Sequence, residues 1–243
     1  MELEDQRVLV TGATAGIGQE TAKLFARRGA SVVITGRDTQ RGAQTVAAIE
    51  AQGGRAEFIA ADLNDIESVR RLAEQAGEID VLVNNAAALA PRTTFEQDVE
   101  SFDMMFDVDV RAPFFLTAAL VPKMIARGSG AIVNISSMGA SVGVPFAPAT
   151  AAAKAALESF TRSWAAAFGA NGIRVNTVAA GPTRTDSAID TFGDAFEQLG
   201  AQTLLGRTAH PIEIAEAIVF LASPQASYLT GATVAVDGGF TAV

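Results

Sequence analysis

The sequence predicts one α/β domain, a doubly wound seven-stranded parallel sheet with helices on both faces. Three observations carry this expectation. Seven short runs of β-branched or aliphatic residues recur along the chain, and segments of helical period lie between them. The inner runs, such as Val81-Leu82-Val83 and Ala131-Ile132-Val133, are continuously apolar, as strands buried on both faces are. A chain of 243 residues, 49% of them hydrophobic, can fill such a core. No Pro/Ser linker, charge block or short repeat divides it, so residues 1–243 read as a single domain.

The elements follow in order. A strand at 7–11 runs into the turn Thr11-Gly12-Ala13-Thr14-Ala15-Gly16-Ile17-Gly18 and a helix at 16–28. Glycines let a backbone turn tightly and approach a ligand, and the free N–H groups and dipole of a helix start favour an anion. The spacing departs from the G-x-G-x-x-G dinucleotide fingerprint, so by itself it suits equally a βα turn whose glycines serve only geometry. Next come a strand at 31–35, a helix at 39–52, a strand at 57–60 and a helix at 66–77. The fourth strand, 81–84, precedes a long helical segment at 96–126, and the fifth, 131–136, precedes a helix at 151–169. The sixth strand, 174–178, is followed by a mixed polar, glycine and aromatic stretch, 183–205, expected to form a loop or helical lid beside the site. A helix at 211–222 and a strand at 233–236 complete the series.

Composition excludes several classes. The net charge of −9 disfavours broad binding to nucleic acid or an anionic membrane, although a local basic pocket remains compatible with it. Without cysteine there is no disulfide, thiolate zinc site or cysteine nucleophile, and a cytoplasmic location is the expectation. The acidic start, Met1-Glu2-Leu3-Glu4-Asp5, is unlike a secretory signal, and no apolar stretch approaches the roughly 20 residues of a membrane helix. The single histidine, His210, precedes Pro211 and reads as a turn or helix-entry residue; no metal site is expected.

Taken in order, the turn from Thr11 to Gly18, Asp62, Asn84-Asn85-Ala86-Ala87, Ser136-Ser137, Lys154, Gly181-Pro182-Thr183-Arg184-Thr185, Tyr228-Leu229-Thr230-Gly231 and Asp237-Gly238-Gly239 form a recognisable series. It resembles the short-chain dehydrogenase/reductases, ketoacyl reductases among them, over nearly the whole chain. The resemblance implies a Rossmann-type sheet and a nicotinamide dinucleotide bound by Gly12, Thr14, Gly16, Ile17 and Gly18. It places Asp62 and Leu63 at the adenine, Asn85, Ala86 and Ala87 on the adenosine side, and Lys154 at the nicotinamide ribose. Gly181, Thr183 and Thr185 would meet the nicotinamide amide. Read without the family, Asp62 is equally a helix cap and Asn84-Asn85 a strand-end turn. The resemblance also implies a homodimer or homotetramer packed through the helix carrying Trp164 and the long helix before it.

NAD-preferring relatives usually carry an acid where this chain has Gly36, beside Arg37. A carboxylate would repel a ribose 2′-phosphate, whereas an arginine pairs with it, so NADP(H) is favoured over NAD(H). The alternative is a solvated Arg37 with Asp38 taking the ribose.

Three positions depart from the family pattern. The active-site tyrosine expected four residues before Lys154 is Thr150, thirteen residues after Ser137, and the chain's one tyrosine is Tyr228. An aliphatic hydroxyl lies several pKa units above a phenol and sits on Cβ, too short to replace one directly. A water between Thr150 and Lys154 would bridge the gap. The supporting asparagine of the long helix is Asp109, either an alternative proton carrier or a carboxylate that faces solvent or pairs with Arg111. Ala180 stands where a proline precedes Gly181, with little effect expected. Lys154, Glu158 and Arg162, spaced by four, would also suit a plain salt-bridge stripe.

Two functions follow. The first is an NADP(H)-dependent oxidoreductase moving a hydride to or from a small carbonyl, alcohol, C=N or C=C compound, with Ser137, Thr150, Lys154 and Asp109 as candidate catalytic residues. The alternative is a catalytically weak or inactive nucleotide-binding sensor or scaffold.

Overall fold

The computed structural model describes residues 3–243; Met1 and Glu2 of the acidic start lie outside the described residues. Seven strands form one parallel sheet in the order β3-β2-β1-β4-β5-β6-β7, with β1 Arg7–Thr11, β2 Ser31–Gly36, β3 Arg55–Ala60, β4 Val81–Asn84, β5 Gly130–Ser137, β6 Ile173–Ala180 and β7 Thr233–Val236. The expected fold is therefore the observed one. Strands β3, β5 and β6 run one to two residues past the expected bounds at one or both ends, because ladder pairing recruits flanking residues that lack a strong β signal of their own.

Helices cover both faces. On one, α1 Gly16–Arg27, α2 Thr39–Glu50 and α9 Pro211–Ala222 bury Phe25, Ile49 and Ile218 against Val10, Val32 and Val133. On the other, α3 Ile66–Ala76, α5 Ala112–Arg127 and α6 Pro148–Phe168 bury Leu72, Leu116 and Trp164 against Leu9, Leu82 and Ile132. Successive residues of β1 and β4 thus feed opposite cores, which accounts for their unbroken apolar character. Among the described residues no helix is long and apolar enough to cross a membrane.

The segment expected as one long helix is three pieces. Asp98 caps α4, Val99–Phe106, by accepting from the Ser101 N–H at 2.8 Å. A π-helical turn, Asp107–Arg111, then joins α4 to α5. A wider turn inserts one residue and shifts the phase of the apolar stripe, but over a segment this rich in apolar residues the shift is masked, so a 3.6-residue period does not reveal it. The 183–205 stretch contains α7, Asp186–Phe192, and α8, Asp194–Ala201. Its stems are pinned where the Ala209 N–H donates to the Pro182 carbonyl and the Arg184 N–H to the Ala209 carbonyl, each 2.8 Å. Beyond it, His210 opens α9 and gives its N–H to Glu213, as a helix-entry residue. Hydrogen bonds from Arg207 hold the Glu213 carboxyl well below the usual range, at about 2.

A buried polar chain fixes α6 against the sheet. The Asn84 amide donates to Asn134 Oδ1 at 2.8 Å, and the Asn134 amide to Thr161 Oγ1 at 2.7 Å. Thr161 Oγ1 donates to the Leu157 carbonyl and lies 2.6 Å from Thr177 Oγ1. Thr161→Val keeps the shape but orphans the Asn134 amide, and should lower stability by about 1–3 kcal/mol in a denaturant titration.

Candidate active site

The strand order reverses between β1 and β4, and the crevice outside the C-terminal strand ends there is where an open parallel sheet binds ligands. A groove of about 530 Å³ opens at this point, lined by Gly12, Thr14, Arg37, Asp62, Asn85 and Ala86 among others. Ala15, Leu63 and Ala87 also face it.

Close packing builds the groove floor. Gly12 has φ +64°, and a Cβ there would lie 2.8 Å from the Ala86 Cα; a Cβ on Gly18 would lie 2.4 Å from both the Gly12 carbonyl oxygen and Asn85 Nδ2. Asn85 donates its amide to the Thr11 and Gly12 carbonyls at 2.8 and 3.2 Å, while Thr11 Oγ1 accepts from the Asn85 and Ala86 N–H groups at 3.0 Å. Asn85 therefore shapes the glycine turn through its amide N–H groups while lining the groove. Gly18 serves the same junction, whereas Ile17 packs into the core. The N-terminus of α1 has no side-chain cap and no acid in its first turn. Its N–H groups are left for an anion, as a dinucleotide's phosphates require.

Around the rim, Asp62 accepts from the Asn64 N–H at 3.0 Å, and the cap of α3 is Asp65, not Asp62. Asp38 caps α2 through the Arg41 N–H at 3.0 Å and pairs with the Arg41 guanidinium at 2.7 Å. Those bonds hold the Asp38 carboxyl below its ordinary range, the backbone bond first. Thr183 gives its hydroxyl to the Gly181 carbonyl, and Thr185 caps α7 with its methyl group against Gly16.

Beyond the groove lies a cavity of about 220 Å³ under α7 and α8, with Ser137, Thr150, Gly181 and Thr183 among its walls. Ser137 Oγ accepts from the Gly139 N–H at 3.2 Å, so its own proton is free to point at a ligand oxygen. Thr150 Oγ1 donates to the buried Met105 sulfur at 3.3 Å, leaving its lone pairs for the cavity. The chain's one tyrosine, Tyr228, is fully exposed in the segment before β7 and is not among the residues lining this cavity.

Below Thr150, one turn along α6, Lys154 is buried. Its Nζ lies 3.0 Å from Asp109 Oδ2 and donates to the Ile135 carbonyl at 3.2 Å. Asp109, at 1% exposure, also accepts from the Ala88 N–H at 2.8 Å through Oδ1. The π-helical turn is what aims Asp109 inward. This overturns the solvent-facing or Arg111-paired alternative for Asp109, since Arg111 pairs instead with Asp107 at 2.8 Å. It also overturns the salt-bridge stripe on α6, since Glu158 accepts from Ser136 Oγ at 2.7 Å. Ala180 ends β6 opposite Ser137 and Val236, inside the ladder.

Sequence reasoning did not find Met105, the Ile135 carbonyl or the Ala88 N–H. None carries a motif, since two are main-chain groups and the third is an ordinary core methionine.

A groove at the strand-order reversal, a neighbouring cavity walled by Ser137 and Thr150, and Lys154 buried one turn along α6 together make the arrangement of a nucleotide-dependent oxidoreductase. Residues 12–241 match the family model described as enoyl-(acyl carrier protein) reductase. The chain is 42% identical to cis-4-hydroxycyclohexanecarboxylate dehydrogenase of Sinomonas cyclohexanicum, over 97% of this chain and 96% of that protein. A solved short chain dehydrogenase/reductase family protein superposes with a TM-score of 0.95 at 53% identity, covering all of both chains. Blue fluorescent protein from a metagenomic library, solved in complex with NADPH, superposes with a TM-score of 0.92 at 36% identity, over 99% of each chain. The chain belongs to the short-chain dehydrogenase/reductase family.

Because Gly18 abuts the Gly12 carbonyl, Gly18→Ala must push the turn outward. Calorimetric titration with a nicotinamide dinucleotide should show binding weakened by about tenfold or more, equivalent to about 1.4 kcal/mol.

Proposed function

We propose that the protein is an NADP(H)-dependent oxidoreductase acting on small alcohols and ketones, with a proton route that uses no tyrosine. The observation that carries this reading is the buried Lys154–Asp109 pair one turn along α6 from Thr150, which shares a cavity with Ser137. The similar proteins named as dehydrogenases and NADPH complexes support it, and a binding-only role has no comparable support.

For the cofactor, Arg37 lines the groove while Asp38 is taken up by Arg41 and the start of α2. Asp38 lines the groove too, but its carboxylate is already engaged, and Arg37 offers a charge-assisted fork to a 2′-phosphate. When bound, the nicotinamide supplies or takes the hydride. Asp62, Leu63, Ala86 and Ala87 would hold the adenosine end, with Gly181, Thr183 and Thr185 towards the amide.

In the reductive direction, Ser137 donates its proton as a hydrogen bond to the substrate oxygen, stabilising charge as it develops there. A water held by the Thr150 lone pairs and the remaining N–H of Lys154 protonates that oxygen. The hydroxide left behind takes a proton from the Lys154 ammonium, which is restored from solvent. Thr150 and Lys154 stand four apart on α6 and so share one helix face, which lets a single water touch both. Asp109 holds Lys154 in place and offsets its charge.

A homodimer or homotetramer is also proposed. Phe114 and Phe115, exposed on α5, continue into a cluster with Phe160 and Trp164 of α6, an apolar face suited to a second copy.

Two experiments test this reading. Thr150→Tyr supplies a phenol, but with Asp109 offsetting the lysine charge its pKa should stay high; adding Asp109→Asn should free Lys154 to lower it. Steady-state ketone reduction should therefore rise most in the double variant, by about a hundredfold, with the limb of its pH–rate profile at lower pH than in Thr150→Tyr alone. Equal profiles would remove the role given to Asp109. Separately, Arg37→Ser should raise KM for NADPH about tenfold or more and leave KM for NADH unchanged; equal effects on both would reverse the cofactor assignment.

A further inference from the structure

We infer that the substrate is a neutral, apolar cyclic ketone or secondary alcohol with a single oxygen to be recognised, an inference that rests on the oxidoreductase reading and narrows it. The cavity between Ser137 and α8 carries the argument. Among the described side chains no lysine, arginine, histidine, aspartate or glutamate lines it, so a carboxylate, phosphate or ammonium on the substrate would enter without a partner.

Its hydrogen-bonding capacity is equally narrow. Ser137 has one proton to give, whereas the Thr150 and Thr183 hydroxyls, their protons given to Met105 and the Gly181 carbonyl, offer only lone pairs. One carbonyl or hydroxyl is satisfied at that end. Each further hydroxyl, as on a sugar, would face a mostly hydrocarbon wall.

The opposite wall is aromatic. Phe146, from the loop before α6, meets Phe192 of α7 edge-on at 6.3 Å, and Phe192 stacks over Phe196 of α8 at 6.3 Å. Val144, Leu89 and Leu199 close the rest. Apolar space of about 150 Å³ is enough to hold benzene, so about 220 Å³, shared with the nicotinamide at Gly181 and Thr183, limits the substrate to about a five- or six-membered ring. A rigid ring also loses fewer rotors on binding than an open chain of the same carbon count. The dehydrogenase of Sinomonas cyclohexanicum is named for a ring that bears a carboxylate. The cavity here favours the ring and gives that charge nothing to pair with.

The test is equilibrium binding to the protein loaded with NADP+, where a ketone cannot be reduced and turnover does not enter. Nucleotide binding is titrated first, and its absence would overturn the oxidoreductase reading itself. Three probes then follow by calorimetry: cyclohexanone, 4-oxocyclohexanecarboxylate and a six-carbon ketose. Cyclohexanone should bind at least about a hundredfold more tightly than the ketose and about tenfold more tightly than the carboxylate. Val144→Arg should reverse the order of the two ring compounds. Phe146→Ala, at a half-exposed position where folding is not at stake, should weaken cyclohexanone several-fold and leave NADP+ binding unchanged. Nucleotide binding with equal affinity for all three probes, with a preference for the ketose or carboxylate, or with no cyclohexanone binding would overturn the substrate class alone.

Discussion

The ion pair between Lys154 and Asp109 sets the terms for the structure around it. Two charges removed from water carry a desolvation cost of several kcal/mol each, which their attraction offsets only when geometry is fixed and other hydrogen bonds are made. The protein meets that condition from several elements at once. The π-helical turn presents Asp109, β5 offers the Ile135 carbonyl to Lys154, and the segment after β4 donates the Ala88 N–H to Asp109. The asparagine and threonine chain beneath α6 keeps the lysine's helix from sliding.

Around this pair the site divides into regions of different electrostatics. The groove at the strand-order reversal mixes Arg37 and Arg41 with Asp38, Asp62, polar backbone and an open helix start, whereas the cavity under α7 and α8 has no charged wall among the described side chains. An acidic chain of net −9 can still receive a polyphosphate there, because the Arg37 guanidinium, the pairing of Asp38 with Arg41 and the helix dipole act locally while screening weakens more distant charge. The apolar cavity raises the worth of each hydrogen bond made inside it.

How much of this was legible in the sequence depended on the range of the interaction involved. The fold was, because strand and helix signals are local: β1, β4, β7 and α9 lie where their residue patterns put them. The glycine turn was legible only through its company of motifs along the chain. Asp109 was visible as a departure from a pattern, yet its direction was not, since the phase shift of the π-helical turn is masked among apolar residues and the partner lies forty-five residues on. The main-chain partners of Lys154 and Asp109 were invisible for a plainer reason, that every residue has a carbonyl and nearly every residue an N–H. The aromatic wall could be suspected from Phe192 and Phe196 in the lid, but Phe146 joins it from another loop, and only tertiary structure brings the rings together.

The Ala88 to Asp109 hydrogen bond ties together the two lengths of chain that build the site. Most of the groove belongs to the chain before residue 90, while the proton-handling side chains and the cavity's aromatic wall come after residue 100. The donor in that bond is a main-chain group that any residue except proline supplies. As far as this tie is concerned, position 88 is free to vary in side chain while Asp109 is not.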